Sequence, residues 1–176
     1  IRAEALPIEE WFRSGDGANF TAAIHRAQDA VPVGGTVELE LGPRSYPCTA
    51  VVNIYRTVVI RGPGVRNQSV EATLSFSNTT AGILTHYPGT YGPDAAAGSY
   101  LTLERVRITG SGSGAGVNLH GVQLQARSRL SEVWVSAFSG DGVRIDATTP
   151  TADATGWVVE HSTLTGNGGQ GLFTNG

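Results

Sequence analysis

Three segments of this 176-residue chain, LERVRITG (103–110), LSEVWVSAF (130–138) and VEHSTLTGN (159–167), repeat one pattern while varying its reactive side chains. Val106 aligns with Val133 at an offset of 27, and Val135 with Leu164 at an offset of 29. Under that alignment Arg105, Glu132 and His161 fill one outward position, and Arg107, Trp134 and Thr163 fill the next. Neighbouring strands would then stand a cation, a carboxylate and an imidazole about 4.8 Å apart. A carboxylate or imidazole can move protons, a guanidinium grips a carboxylate with two bonds, and an indole offers a flat face to a sugar ring. β-Elimination needs a base beside a neutralised uronate, whereas glycoside hydrolysis needs a pair of carboxylates. Arg105, Glu132 and His161 are therefore catalytic candidates, with Arg107 and Trp134 as substrate-binding ones. Ordinary cross-strand ion pairing produces the same ladder, and a one-residue slip in register would turn every one of these side chains inward.

A second cluster is Gly140-Asp141-Gly142, with Asp146 and Asp153 downstream. Asp141 joins the catalytic candidates and Arg144 the substrate-binding ones. Asp141 and Asp146 together could hold Ca²⁺, which prefers oxygen ligands. A glycine-flanked Asp also caps backbone amides in a plain turn. His25 falls in a helical stretch and His86 in a loop, so both read as bystanders, while His120 lies in a strand of uncertain register. No zinc spacing, phosphate loop or Ser-His-Asp order is present.

Composition narrows the classes. Net charge is −3, and all 12 basic residues are Arg, with no Lys. A general nucleic-acid binder would carry excess positive charge for the phosphates. Without Lys there is no Schiff-base chemistry. Cys48 is alone, which excludes an intrachain disulfide and a thiolate metal cluster. No apolar run approaches the roughly 18 residues of a membrane span.

The elements that must position these groups are short strands. Residues 1–18 read as a leader closed by Gly15-Asp16-Gly17. Asn19 is placed to cap a helix over 20–31, where Phe20, Ala23, Ile24, Ala27 and Val31 form one apolar stripe. Pro32 and Gly34-Gly35 end it. TVELEL and TVVIRG then alternate strictly, ATLSF and GILTHY continue, and a Gly/Pro/Ala-rich loop (87–98) intervenes. Each of the three repeated segments is followed by a glycine-led strand: GVNLHGVQLQ, GDGVRIDA and GQGLFTNG. Two or three short strands per 20–30 residues mark a solenoid of stacked coils, an all-β architecture. Val106, Ile108, Val133, Val135 and Leu164 should stack inside, and the helix should plug one end. The chain divides into a leader and capping helix (1–35) and the coils (36–176).

The block FRSGDGANFTAAIHRAQDAVPVGGTVELELGPRSY (12–46) resembles the opening of the pectate-lyase-like superfamily, which includes polysaccharide lyases, hydrolases and phage tailspikes. Gly15-Asp16-Gly17, Thr21-Ala22-Ala23-Ile24, Gly34-Gly35, the Val37-Leu39-Leu41 strand and Tyr46 fill the motif's places, and Ile60-Arg61-Gly62-Pro63-Gly64 resembles its closing turn. Asn19-Phe20 stands where two Asp are usual, and Gly42-Pro43-Arg44 inverts the customary order. The match covers about residues 12–64, a cap-building block. It implies a right-handed parallel β-helix with a carbohydrate polymer as its partner, and it leaves the reaction open among lyase, hydrolase and epimerase chemistry. A non-catalytic tailspike or surface fibre would share the same entrance.

Two expectations concern context. The chain starts at Ile1, as after removal of a leader, which with the resemblance suggests a secreted or cell-surface protein of a bacterium or phage. It stops inside a repeat, so further C-terminal coils or a second chain are expected to complete the β-helix.

Overall fold

Strict alternation puts every second side chain of a strand on one face, and a strand this short can bury that face only against others like it. The computed structural model describes residues 6–17, 19–32, 34–64, 71–77, 81–85, 100–111, 114–120, 128–146 and 157–175. His86, Asp153 and the 87–98 loop lie outside these. A two-residue strand β1 (Leu6–Pro7) leads into a 3-10 helix (Ile8–Trp11) and helix α1 (Phe20–Asp29). Fifteen strands follow as five three-strand circuits. The first is β2 (Thr36–Glu40), β3 (Ser45–Cys48) and β4 (Val52–Ile54); the second is β5 (Thr57–Arg61), β6 (Ala72–Phe76) and β7 (Ile83–Thr85). The third is β8 (Tyr100–Glu104), β9 (Val106–Gly110) and β10 (Val117–His120). β11 (Ser128–Ser131), β12 (Trp134–Ser136) and β13 (Val143–Asp146) make the fourth, and β14 (Trp157–Glu160), β15 (Thr163–Thr165) and β16 (Leu172–Asn175) the fifth.

Each circuit contributes one strand to each of three sheets, ordered β1-β2-β5-β8-β11-β14, β3-β6-β9-β12-β15 and β4-β7-β10-β13-β16. Every pairing is parallel, as in Val135 against Ile108 and Leu164. Mostly parallel sheets with a single α-helix among the described residues fit a β-helix or solenoid-like fold. The registers match the offsets of 27 and 29 read from the repeats.

Inward residues align in rows. Leu39, Ile60, Leu103 and Leu130 form one; Tyr46, Leu74, Ile108 and Val135 a second; Val52, Ile83, Val117 and Val143 a third. All twelve are fully buried, each contributing on the order of 1.5–3 kcal/mol by leaving water. Their fifth-circuit partners Val159 and Leu164 are only half-buried, and Leu172 is 38% exposed. Leu164 was expected in the core, but on the edge strand β15 it has a stacked neighbour on one side alone.

Glycines open the third strand of the second to fifth circuits, where the coils approach too closely for a side chain. The carbonyls of Gly82, Gly116, Gly142 and Gly171 accept from the amides of Val52, Ile83, Val117 and Val143 at 2.8–3.0 Å. A Cβ on Gly82 would lie 2.2 Å from the Gly116 carbonyl oxygen, and one on Gly142 would lie 2.7 Å from that of Gly171. The glycine-led segments of the sequence are this column.

The base of the stack is closed by α1. Asn19 caps it, its side-chain oxygen accepting from the Thr21 amide at 3.1 Å. Phe20, Ala23, Ile24 and Ala27 are buried in the core. The opposite task falls to its polar side chains, which satisfy the backbone left unpaired at the first circuit. The Gln28 amide donates to the Asn53 carbonyl at 2.9 Å while its oxygen accepts from the Tyr55 and Arg56 amides at 2.9 and 3.2 Å. Thr21 donates to the Ala50 carbonyl at 3.1 Å, and His25 Nε2 accepts from the Asn53 amide at 3.2 Å. His25 is thus a structural acceptor and not a bystander. Gly15-Asp16-Gly17 is structural as expected: Asp16 accepts from the Arg13 amide and pairs with Arg26, and the first of these bonds chiefly holds its carboxyl below the usual range.

Burial lowers the His25 pKa below 6.5, against the opposing pull of Asp29. Its bond to the edge strand requires the neutral ring, so the stability it contributes is full above pH 6.5 and declines as pH falls through the lowered folded value. Chemical denaturation between pH 7.5 and 5 should show this loss, about 1 kcal/mol for one backbone hydrogen bond. His25→Gln, which keeps an acceptor that does not titrate, should flatten that part of the profile.

Candidate functional site

Glu104 ends β8 and Val106 begins β9, so one residue must turn the chain from the first sheet into the second. That residue is Arg105, at φ 57°. Glu132 and His161 occupy the same corner in the next two circuits, at φ 54° and 50°. The backbone ladder continues round the bend: the Arg105 amide donates to the Ser131 carbonyl at 3.0 Å, and the Glu132 amide to the Glu160 carbonyl at 3.2 Å. Left-handed backbone costs an ordinary side chain about 1 kcal/mol or more, and Gly or Asn would bear it more cheaply. Three successive corners nevertheless carry a guanidinium, a carboxylate and an imidazole.

The shared row read from the sequence is therefore present. It runs along the corner between two sheets, and not across a sheet face as the alternation suggested, because a left-handed residue leaves the pleat. Glu132 and His161 are exposed and Arg105 is half-exposed. Below them on the first sheet, Arg129 pairs with Glu160 and holds that carboxyl beneath its usual range. Arg61 bridges Glu38 at 2.9 Å and Glu104 at 3.2 Å on the same face.

The second sheet turns two rows outward. One is Ser45, Thr73, Arg107, Trp134 and Thr163; the other is Pro47, Ser75, Thr109, Ser136 and Thr165. Arg107 lies over the Trp134 ring, its guanidinium carbon 5.3 Å from the centroid. It also pairs with Glu71 at 3.6 Å, whose side chain is only 8% exposed. The indole is half-buried, and its N–H is sealed from solvent without a partner among the described residues. The exposed indole expected from sequence is thus a carbon surface with one face shared by Arg107. Glu71 was not foreseen: it stands 36 positions before Arg107, and only the register of β6 on β9 brings them together.

Asp141 does the work of a turn. One oxygen accepts from the Gln170 amide at 2.8 Å, and the other faces Arg144 Nη1 at 3.5 Å. With a donor on each oxygen it is committed to the stacked turns, away from the Arg105–Glu132–His161 corner. Arg144 stacks over Phe173 at 4.5 Å on the outer face of the third sheet. Asp146 pairs in register with His120 and Asn175, while its side chain, like that of His120, lies outside the described residues. Among the described residues no three His, Cys, Asp or Glu side chains converge as a metal ion would require.

Glu132→Asn replaces a residue strained at φ 54° with one that tolerates this backbone. Thermal or urea unfolding should show a gain of up to about 1 kcal/mol, and a loss of stability would mean that the Glu132 side chain supports the fold.

Comparison with known proteins returned no matching family model, curated protein or solved structure.

Proposed function

We propose that this chain is part of a right-handed parallel β-helix of the pectate-lyase-like kind and that it acts on a polysaccharide, cleaving it by hydrolysis or β-elimination. The polymer lies on the outer face of the second sheet, across Trp134 and Arg107, and the bond to be cleaved sits at the adjoining corner. Glu132 and His161 are the groups that move protons there, and Arg105 carries the charge that steadies the developing anion. A secreted or cell-surface location goes with this reading.

The observation that carries the proposal is the corner row. Costly left-handed backbone is retained at Arg105, Glu132 and His161, beside an Arg–Trp surface two residues further along the chain. Strain held at chemically potent residues clusters at functional sites. Gly or Asn would carry this backbone with less strain, and Ala137 at φ 66° holds it without a reactive group, so it is the residue types of the row that support the reading.

A second reading, a non-catalytic adhesive β-helix, draws on Asp141. Its carboxylate is tied to Gln170 and Arg144 and so cannot partner Glu132 as a second acid. The two readings part in one experiment. The protein is incubated with a panel of acidic and neutral polysaccharides while ultraviolet absorbance of an unsaturated product and new reducing ends are followed. Absorbance growth identifies elimination, and reducing ends alone identify hydrolysis. Glu132→Gln should lower the rate by about 10²–10⁴-fold with unchanged unfolding behaviour. Trp134→Ala should weaken binding by roughly 1–3 kcal/mol. Binding without any cleavage would favour the adhesive reading, and unchanged affinity in Trp134→Ala would remove this face from the site.

A further inference from the structure

The three outer faces differ in charge in a way that bears on what can lie against them. On the first sheet the outward residues include Glu38, Glu40, Glu104 and Glu160 against only Arg61 and Arg129. On the second sheet the two outward rows hold seven Ser or Thr hydroxyls, a proline, an indole and one guanidinium. Arg107 is the only ionisable side chain in those rows, and it is already matched: Glu71 stands 3.6 Å from it, and the Trp134 ring lies beneath it.

A uronate or sulfate settling on these two rows would have Arg107 as its counter-ion, since Arg105 stands off them at the corner. Taking it would leave Glu71, whose side chain is almost fully covered, without the cation it pairs with among the described residues. Stripping a buried ion of its partner costs far more than an exposed pair gains. The acidic first sheet beyond the corner, and Glu132 on that corner, add repulsion. An uncharged sugar meets none of these costs. It finds hydroxyls on both rows to exchange hydrogen bonds, and a carbon surface whose N–H is withdrawn from solvent. Arg107 serves there as an extension of the indole platform, held flat by Glu71.

We infer that the outer face of the second sheet selects uncharged glycans, and that Glu71 sets this preference by holding Arg107 against Trp134. The inference deepens the proposed function and rests on it, narrowing its two reactions to hydrolysis, since an uncharged glycan has no uronate to eliminate across. Glu71 is a positioning residue here, acting through Arg107.

The test is affinity electrophoresis of the folded protein through gels cast with soluble neutral polymers (β-glucan, galactomannan, arabinan) or anionic ones (polygalacturonate, alginate), at low and high salt. Retardation by at least one neutral polymer is expected, unaffected by salt because no net charge is neutralised on binding, with the best anionic polymer about tenfold weaker or worse. Glu71→Gln frees Arg107 and should close that gap by about tenfold, with the gain confined to anionic polymers and abolished by salt. Wild-type protein that prefers an anionic polymer overturns the inference while leaving the polysaccharide reading standing. A folded Glu71→Gln variant with an unchanged ratio overturns the role of Glu71. Absence of retardation by every polymer overturns the polysaccharide reading itself. Should Glu71→Gln fail to fold, the salt dependence and the neutral-to-anionic ratio of the wild type still decide the selectivity.

Discussion

Parallel pairing between one circuit and the next is the interaction on which everything else here depends. Strands that pair in parallel stay paired only if each circuit turns its corners at the same height as its neighbours, about 4.8 Å away. Loops may vary in length between corners, but the corners themselves must superimpose. Two devices meet this demand. Where the third strand begins, glycine removes the Cβ that would strike the next circuit's carbonyl. Where the second strand begins in the last three circuits, a left-handed residue makes the bend, and Arg105 and Glu132 keep their amides in the ladder. The first device is the cheap solution. The second has been filled with residues that pay a conformational penalty, and a chemical role is what would justify it.

Much of this could be read from the residues. Alternation marked the strands, Asn19 marked the helix start, and the paired offsets marked which residues share a row, because inward positions tolerate little but aliphatic side chains. The glycine column was visible as well, since a forbidden Cβ leaves an unmistakable residue type. Arg105, Glu132 and His161 were legible as a row but not as a corner, because Arg and Glu are not residue types that mark left-handed backbone. The partners of Arg107 and Asp141 were hidden for another reason. Glu71 lies across a segment whose length sets no periodicity, and Gln170 contributes a backbone amide that carries no side-chain identity. The 3-10 helix at Ile8–Trp11 was equally silent within the leader.

The faces of the stack divide their labour by charge. Ion pairs on the first sheet are exposed and add little stability each, yet they space four carboxylates and two guanidiniums so that neighbours seldom repel. The second sheet avoids charge and offers hydroxyls and aromatic carbon. Arg107 reconciles the two styles. Its charge is answered by Glu71 while its guanidinium lies over the Trp134 ring.

Helix α1 has a consequence that concerns many molecules rather than one. Gln28, His25 and Thr21 occupy the hydrogen-bonding groups that a further parallel strand would otherwise take at β4 and the segment just before it. An open parallel edge is a template, and the segments best able to add to it are the repeats of another copy, arriving head to tail. Such a contact does not close on itself, so it propagates into a filament. A ten-residue helix therefore covers the backbone edge at this end of the stack, occupying with Gln28, His25 and Thr21 groups to which another strand could pair.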